Sequence, residues 1–240
     1  MSEIEYIGTE LELFAAARNW KRYLRDVISP HIGGDVLEVG AGIGTTTRAL
    51  STGKESSWTC LEPDPSLSAT LRLAVEDLPI APRVVTGTLA DLPATDRFDA
   101  ILYVDVLEHI EQDAAEVRLA AARLKPGGRL IILCPAHQSL FSPFDKQIGH
   151  FRRYDATMMR ALTAPGLTLR KVRYLDSAGY LLSLGNRLLL RASMPTAGQI
   201  LTWDRLFVPI SRLTDVLTAG RVGKSVLGIW VSTAGEGEVG

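Results

Sequence analysis

The stretch Val36-Leu37-Glu38-Val39-Gly40-Ala41-Gly42-Ile43-Gly44-Thr45 constrains this chain more than any other. An apolar strand with one embedded carboxylate, Glu38, runs directly into a turn with glycine at alternate positions, and a helix then starts near Thr45. Glycine lets the backbone turn sharply there and brings a ligand against the N–H groups, where a side chain would block approach. This is the pattern of the first βα turn of a nucleotide-binding α/β fold. A dinucleotide fingerprint, G-x-G-x-x-G, needs glycine at position 45, and the residue is Thr45.

A chain of 240 residues that is 46% hydrophobic makes one large domain, or a domain with an insertion, and can bury a sizeable core. Its net charge of −1, with no long basic run, argues against a nucleic-acid partner. The acidic start Met1-Ser2-Glu3-Ile4-Glu5 predicts no secretory leader, and no apolar run is long enough to predict a membrane span. Cys60 and Cys134 sit in separate apolar runs. They read as small buried thiols of a reduced, cytoplasmic protein, not as a disulfide or metal pair.

Strand-like and helix-like segments alternate through the first two-thirds. Strands are expected at Val36–Val39, Ser57–Leu61, Arg83–Thr86, Phe98–Val104 and Arg129–Cys134, with helices at Thr45–Leu50, Ser66–Ala74 and Asp113–Leu124. That order predicts a doubly wound α/β sheet with helices on both faces. Lys125-Pro126-Gly127-Gly128 should end one helix and start the next strand. Glu10–Ile28 has an amphipathic helical pattern, and Leu167–Leu175 and Ser225–Ser232 read as two further strands. Between these lies a long segment with helical runs at Tyr180–Arg191 and Trp203–Leu217, interrupted by Pro195 and Pro209. The expected division is a helical lid over 1–33, a cofactor-binding core over 34–175, a helical insertion or substrate cap over 176–224 and a last strand over 225–233. The end of the chain, 234–240, reads as a frayed tail.

Ligands of open α/β sheets lie beyond the carboxyl ends of the strands, so each strand end can be inspected in turn. The second ends at Glu62-Pro63-Asp64, where a carboxylate can accept both hydroxyls of a ribose. The third is followed by Gly87-Thr88-Leu89-Ala90-Asp91-Leu92. Asp91 there can accept from an adenine amino group while Leu89 or Leu92 packs on the ring; capping a helix is the plainer role. The fourth ends at Asp105, followed by Val106-Leu107-Glu108-His109-Ile110, where Glu108 suits the start of a helix.

Together, Leu37–Gly44, Glu62, Ala90-Asp91-Leu92, Asp99–Ile110 and Leu124–Leu133 resemble the class I S-adenosylmethionine-dependent methyltransferases, in particular the small-molecule branch with "LEH" after the fourth strand and "LKPGG" before the fifth. The resemblance covers about residues 34–136. It implies a Rossmann-like seven-stranded sheet whose last strand is antiparallel, and S-adenosyl-L-methionine as cofactor. It also implies that Glu38 with the backbone at Gly40, Ala41, Gly42 and Gly44 holds the amino-acid end. Glu62 and Pro63 would serve the ribose, Asp91 and Leu92 the adenine, and Asp105 the methionine part. The N-terminal helix would close the site, with Asn19, Trp20 and Tyr23 as an aromatic lid or as plain packing on the sheet.

Methyl transfer from a sulfonium needs an aligned nucleophile and, for a hydroxyl, a proton acceptor. The segment Phe141–Tyr154 follows the fifth strand and carries an imidazole, two guanidinium groups, an acid and a phenol. His150 is the first candidate base and His109 the second. Arg152, Arg153 and Tyr154 are candidates for an anionic substrate group. The alternative is a structural loop in which Asp145 pairs with an arginine and His150 caps a helix beginning near Asp155. No cluster shows metal-ligand spacing, so no metal is expected. An N-P-P-Y-type motif for base methylation is absent.

Residues 177–231 carry Arg187, Arg191, Arg205, Arg212, Arg221 and Lys224 against Asp204 and Asp215, an excess of four positive charges. Basic residues among Leu, Ile, Phe and Trp suit a surface peripheral to anionic lipid, or a site for a lipid-linked substrate. A helical substrate cap or a homodimer interface is the plainer use. The leading expectation is methyl transfer to a small-molecule or lipid-linked metabolite, at oxygen or carbon rather than nitrogen. The same fold catalysing a cyclisation, or binding without catalysis, are the alternatives. A nicotinamide oxidoreductase is disfavoured by Thr45 and by Tyr154 and Met158, which stand where Tyr-x-x-x-Lys would fall.

Overall fold

Alternate side chains of the strand Leu124–Pro135 (β5) feed two apolar layers: Leu130, Ile132 and Cys134 enter one, Ile131 and Leu133 the other. A strand buried on both faces needs a nearly continuous apolar run, as this one has. The computed structural model describes residues 9–189 and 196–233, and among these seven strands form one sheet. They are β1 (Asp35–Val39), β2 (Ser57–Glu62), β3 (Arg83–Thr86), β4 (Phe98–Val104), β5, β6 (Leu167–Leu175) and β7 (Ser225–Ser232), in the order β3-β2-β1-β4-β5-β7-β6. Strands β1 to β5 pair in parallel, and β7 runs antiparallel to both β5 and β6. The winding reverses at β1, which pairs β2 on one side and β4 on the other, and that opens a crevice at their carboxyl ends.

The helices are α1 (Thr9–Ala15), α2 (Arg18–Ile28), α3 (Thr45–Leu50), α4 (Pro65–Val75), α5 (Asp113–Ala121), α6 (Pro143–Gln147), α7 (Ala156–Ala161), α8 (Ser177–Leu189), α9 (Ala197–Thr202) and α10 (Val208–Leu217). One layer joins Trp20, Tyr23, Leu24 and Ile28 of α2 with Leu71 and Val75 of α4 and with Ile200, Trp203 and Val208. The other holds Val117 and Ala120 of α5 and Met159 of α7. No helix among the described residues is long and apolar enough to cross a membrane.

Four local expectations are corrected. The pattern at Glu10–Ile28 is two helices, broken at Ala17 (φ −78°, ψ 71°). The break is stabilised from afar, because the Asp204 carboxylate accepts the N–H groups of Asn19 (3.2 Å) and Trp20 (2.8 Å) and so caps a new helix start. Helix α5 stops at Ala121, and Leu124 already pairs with Phe98, so Lys125-Pro126-Gly127-Gly128 lies inside a strand with a register shift and not before it. Pro209 does not interrupt a helix. It opens α10 after a π turn, Trp203–Phe207, where a proline's missing N–H costs nothing. Pro195, Arg191 and the terminal tail lie outside the described residues.

The long segment before β7 is welded to α2. Tyr23 Oη donates to Asp215 (2.7 Å), which also accepts the N–H groups of Asp176 (2.7 Å) and Ser177 (2.9 Å) at the start of α8. Asp176 in turn accepts from Ser211 Oγ (2.6 Å) and Trp203 Nε1 (2.8 Å). Asp204 and Asp215, which read as surface charges in the sequence, are therefore buried struts.

Candidate active site

The glycine turn adopts the conformation its sequence requires. Gly40, Gly42 and Gly44 have φ of 69°, 55° and 80°. At Gly40 a Cβ would lie 2.6 Å from Val106 Cγ2, so the turn nests against the segment following β4 only because no side chain is present. Ala41 is buried and donates its N–H to the Leu61 carbonyl at 2.9 Å.

Around this turn the strand ends present carboxylates. Glu62, at the end of β2, is buried and accepts from Gly42 N–H at 2.8 Å and Asp64 N–H at 3.0 Å. Burial raises its pKa above the usual range, opposed by those two donors. Pro63 is exposed, and Asp64 accepts from Ser66 N–H at 2.8 Å to cap α4. Glu38, inside β1, accepts from Thr47 Oγ1 (2.7 Å) and Trp58 Nε1 (3.1 Å). Burial pushes its carboxyl up to about 7, against the pull of those donors and of Lys21. Asp105 follows β4 in a left-handed conformation (φ 55°). Its side chain is open to the crevice yet enclosed by protein, and the enclosure lifts its pKa to about 6 against nearby His150, Lys224, Arg153 and Lys21.

Two cations missed by sequence reasoning share the crevice. Lys21, on α2, is lowered to about 8 by burial and is drawn upward by Glu38, Asp105 and Asp204. In sequence it is one basic residue among several on α2, and nothing distinguished it. Lys224 precedes β7 and holds its Nζ 5.0 Å from the centre of the Trp203 ring; burial lowers its pKa too. Trp20 packs on Trp203 (5.7 Å between ring centres) and Tyr23 (6.0 Å), with Asn19 Nδ2 bonded to Asp204.

At the third strand end Asp91 takes its plainer role as well. It accepts from Thr88 N–H and Oγ1, both at 2.8 Å, in a capping box, and these bonds hold its pKa low. Asp91 remains exposed. The Leu92 side chain is packed in the core, so only its backbone is left for a ring in the crevice.

Beyond β5 a second group forms. His150 Nδ1 lies 2.9 Å from Asp145 Oδ1, and Arg153 binds the same carboxylate through Nε (2.8 Å) and Nη2 (2.9 Å). Despite its burial, Asp145 is held well below the usual carboxylate range by His150 and Arg153. The expected pairing of Asp145 with an arginine is thus present, with His150 on the same carboxylate, but α7 is capped by Asp155 and not by His150. Arg152 binds Asp113 (2.8 Å) and the carbonyls of Ile110 and Glu111. Tyr154 is buried and donates to Asp113 at 2.7 Å. These bonds turn Arg152, Arg153 and Tyr154 toward protein partners, where the sequence suggested an anionic substrate group.

His109 packs edge-on against His150, with 4.5 Å between ring centres, and burial with the neighbouring imidazole lowers it to about 4. The expectation that no cluster has metal-ligand spacing is corrected. Donor atoms of Glu108, His109 and His150 all lie within 4.8 Å of one another. The sequence separates His150 from the adjacent pair, and only the loop after β5 brings it back. A shallow hollow lined by Arg25, Asp26, Pro30, Thr52 and Glu55 sits at the opposite, amino ends of β1 and β2.

Residues 37–132 match the methyltransferase domain family. The chain is 34% identical over 144 residues to a demethylmenaquinone methyltransferase of Tropheryma whipplei, covering 58% of each chain. It is 36% identical over 117 residues to a ubiquinone biosynthesis O-methyltransferase of Xylella fastidiosa, covering 43% of this chain and 42% of that one. The chain therefore spans about half the length of these curated relatives. Among solved structures, the [4+2]-cyclase SpnF superposes with a TM-score of 0.62 at 16% identity, covering 95% of this chain and 96% of that one. The N-methyltransferase NodS of Bradyrhizobium japonicum, in complex with S-adenosylhomocysteine, superposes at 0.56 and 15% identity, covering 90% and 85%. At these identities the likeness is one of fold.

Proposed function

We propose that this chain, which carries a class I S-adenosylmethionine-dependent methyltransferase domain, transfers a methyl group to an oxygen or carbon of a small-molecule or lipid-linked acceptor. The observation that carries the reading is the glycine turn itself, bonded at Gly42 to the Glu62 carboxylate from the end of β2, with Glu38 of β1 and Asp105 after β4 both close to Lys21 of α2. The residues fit the cofactor: a Cβ at Gly42 would meet only the Leu11 methyls at 3.5 Å and beyond, which leaves the turn open to a ligand. When bound, the cofactor supplies an electrophilic methyl on a sulfonium.

The chain's own residues then have distinct tasks. Glu62 accepts the ribose hydroxyls, and Asp91 with the backbone of Leu92 meets the adenine. Glu38 and Asp105 face the cofactor's ammonium group, and Lys21 suits its carboxylate. Trp20, fixed by the Asp204 cap, closes the crevice over these groups and excludes water. On the acceptor side stand His150, oriented by Asp145, and His109. Their task is to remove the acceptor's proton, whether by taking it or by displacing it.

The names of the curated relatives favour a quinone-like ring as acceptor. A surface for such an apolar molecule, or for the lipid that holds it, is the outer face of α10 and of the π turn that precedes it. Leu206, Ile210, Leu213 and Leu217 fall there at helical spacing, each at least 50% exposed. Exposed Arg205, Arg212 and Arg221 flank them, which favours an anionic lipid surface over a second copy of the chain. Incubation with S-adenosylmethionine and hydroxylated quinones of graded tail length tests the reading, with a mass gain of one methylene unit as the expected product. The fold likeness to SpnF keeps cyclisation as the second reading, and it predicts a product of unchanged mass.

A further inference from the structure

Glu108 is fully buried, and neither of its carboxylate oxygens has a partner at hydrogen-bond geometry among the described residues. A buried carboxylate so poorly supplied with donors is costly, and only its own backbone N–H and the weak thiol of Cys134 stand close to it. Two imidazoles converge on it instead. His150 Nε2 lies 3.8 Å from Glu108 Oε1, and the His109 ring meets the His150 ring edge-on. That 3.8 Å gap is too long for a hydrogen bond. It does suit two donors on a common ion, since ligand atoms about 2.0–2.2 Å from a cation stand about 3–4 Å from each other.

Each imidazole is also oriented from behind. Asp145 Oδ1 faces His150 Nδ1 at 2.9 Å, and the Ile148 carbonyl accepts from His109. An acceptor behind the ring takes the N–H and leaves the other nitrogen's lone pair pointing away, which is how metal-binding histidines are held. Asp105 adds a further negative charge beside Glu108. Of the nearby cations, Arg153 is already committed to Asp145, and Lys224 lies against Trp203.

We propose that Glu108, His109 and His150 form a binding site for a divalent first-row transition cation. Two imidazoles and a carboxylate suit such an ion and leave coordination positions open. If methyl transfer is the reaction, a consequence that rests on the reading above, an acceptor hydroxyl taking an open position releases its proton to solvent and enters as an oxyanion. The binding of the ion itself does not depend on that reading.

The test is a titration of chelator-treated, full-length protein with Mn2+ alone, read by loss of the free-ion electron paramagnetic resonance signal, and with Zn2+ alone by calorimetry. One ion per chain is expected. Glu108→Gln, which keeps the shape and removes the charge, should weaken binding by at least about 100-fold, and Asp145→Asn by about 10–100-fold through loss of the negative charge behind His150. Should Glu108→Gln not fold, His109→Asn takes its place with the same expectation. S-adenosylhomocysteine binding measured on the same samples separates loss of the ion site from loss of the cofactor site. No binding of either ion below millimolar concentration, or unchanged binding in the variants, overturns the proposal.

Discussion

The Glu62 carboxylate reaches from the end of β2 to the glycine turn and accepts the Gly42 N–H at 2.8 Å. That bond couples two strand ends before any ligand is present, and it fixes one carboxylate oxygen beside the backbone that a nucleoside must approach. On the proposed assignment of Glu62 to the ribose, Glu62→Ala should weaken S-adenosylhomocysteine binding by about 1.5–3 kcal/mol. Calorimetric titration of the variant checks this, and an unchanged affinity removes Glu62 from the ribose.

Glu38 gives the cofactor-free protein a pH signature. In the folded state its proton is held up to about pH 7, while the ordinary value is 4.5. Between those values the folded chain binds the extra proton, so stability falls as pH rises through the window and levels off above it. A shift of this size corresponds to roughly 3 kcal/mol. Thermal denaturation from pH 4.5 to 8 should show a shallower decline for Glu38→Gln than for the parent. Parallel curves would mean that Glu38 does not titrate in this range.

His150, bonded to Asp145 and near Asp105, is the proposed group on the acceptor side. His150→Ala should bind S-adenosylhomocysteine as the parent does and lose turnover by roughly 10²–10⁴-fold. Single-turnover methyl transfer with a responsive acceptor makes the comparison. Full turnover in the variant would leave proximity alone to account for the rate.

The exposed stripe of α10 should act through its apolar face. Paired substitution of Leu213 and Leu217 by aspartate is expected to reduce co-sedimentation with phosphatidylglycerol vesicles and leave S-adenosylhomocysteine affinity unchanged. Both side chains are more than 60% exposed, so folding is not at stake. Equal sedimentation of parent and variant would assign the stripe to something other than lipid.

Much of the sheet was legible because most strands carry a short apolar run bounded by turn residues, and β6 alternates apolar with polar side chains. Arg83–Thr86, Phe98–Val104, Leu167–Leu175 and Ser225–Ser232 have the bounds the pattern predicts. What escaped was whatever depends on distant residues. The split between α1 and α2 is set by Asp204, far along the chain, and local periodicity cannot register such a cap. Lys21 enters the crevice only because α2 is tied down at Asp204 and Asp215. Glu108 looked like an acid at a helix start, a role that a short surface turn would support equally well. Its burial beside Cys134, and the return of His150 to it, follow from the loop after β5. Glu62 and Asp105 could be picked out as strand-end carboxylates because the strand-end rule needs no knowledge of side-chain packing, while Glu38, inside β1, came from the resemblance of the glycine turn.

The central claim is a cofactor site for S-adenosylmethionine at the glycine turn. Calorimetric titration of the purified protein with S-adenosylhomocysteine, with NADH in parallel, tests it most directly. The account predicts one S-adenosylhomocysteine bound per chain and no heat from NADH. Binding of NADH in its place, or of neither, would contradict it.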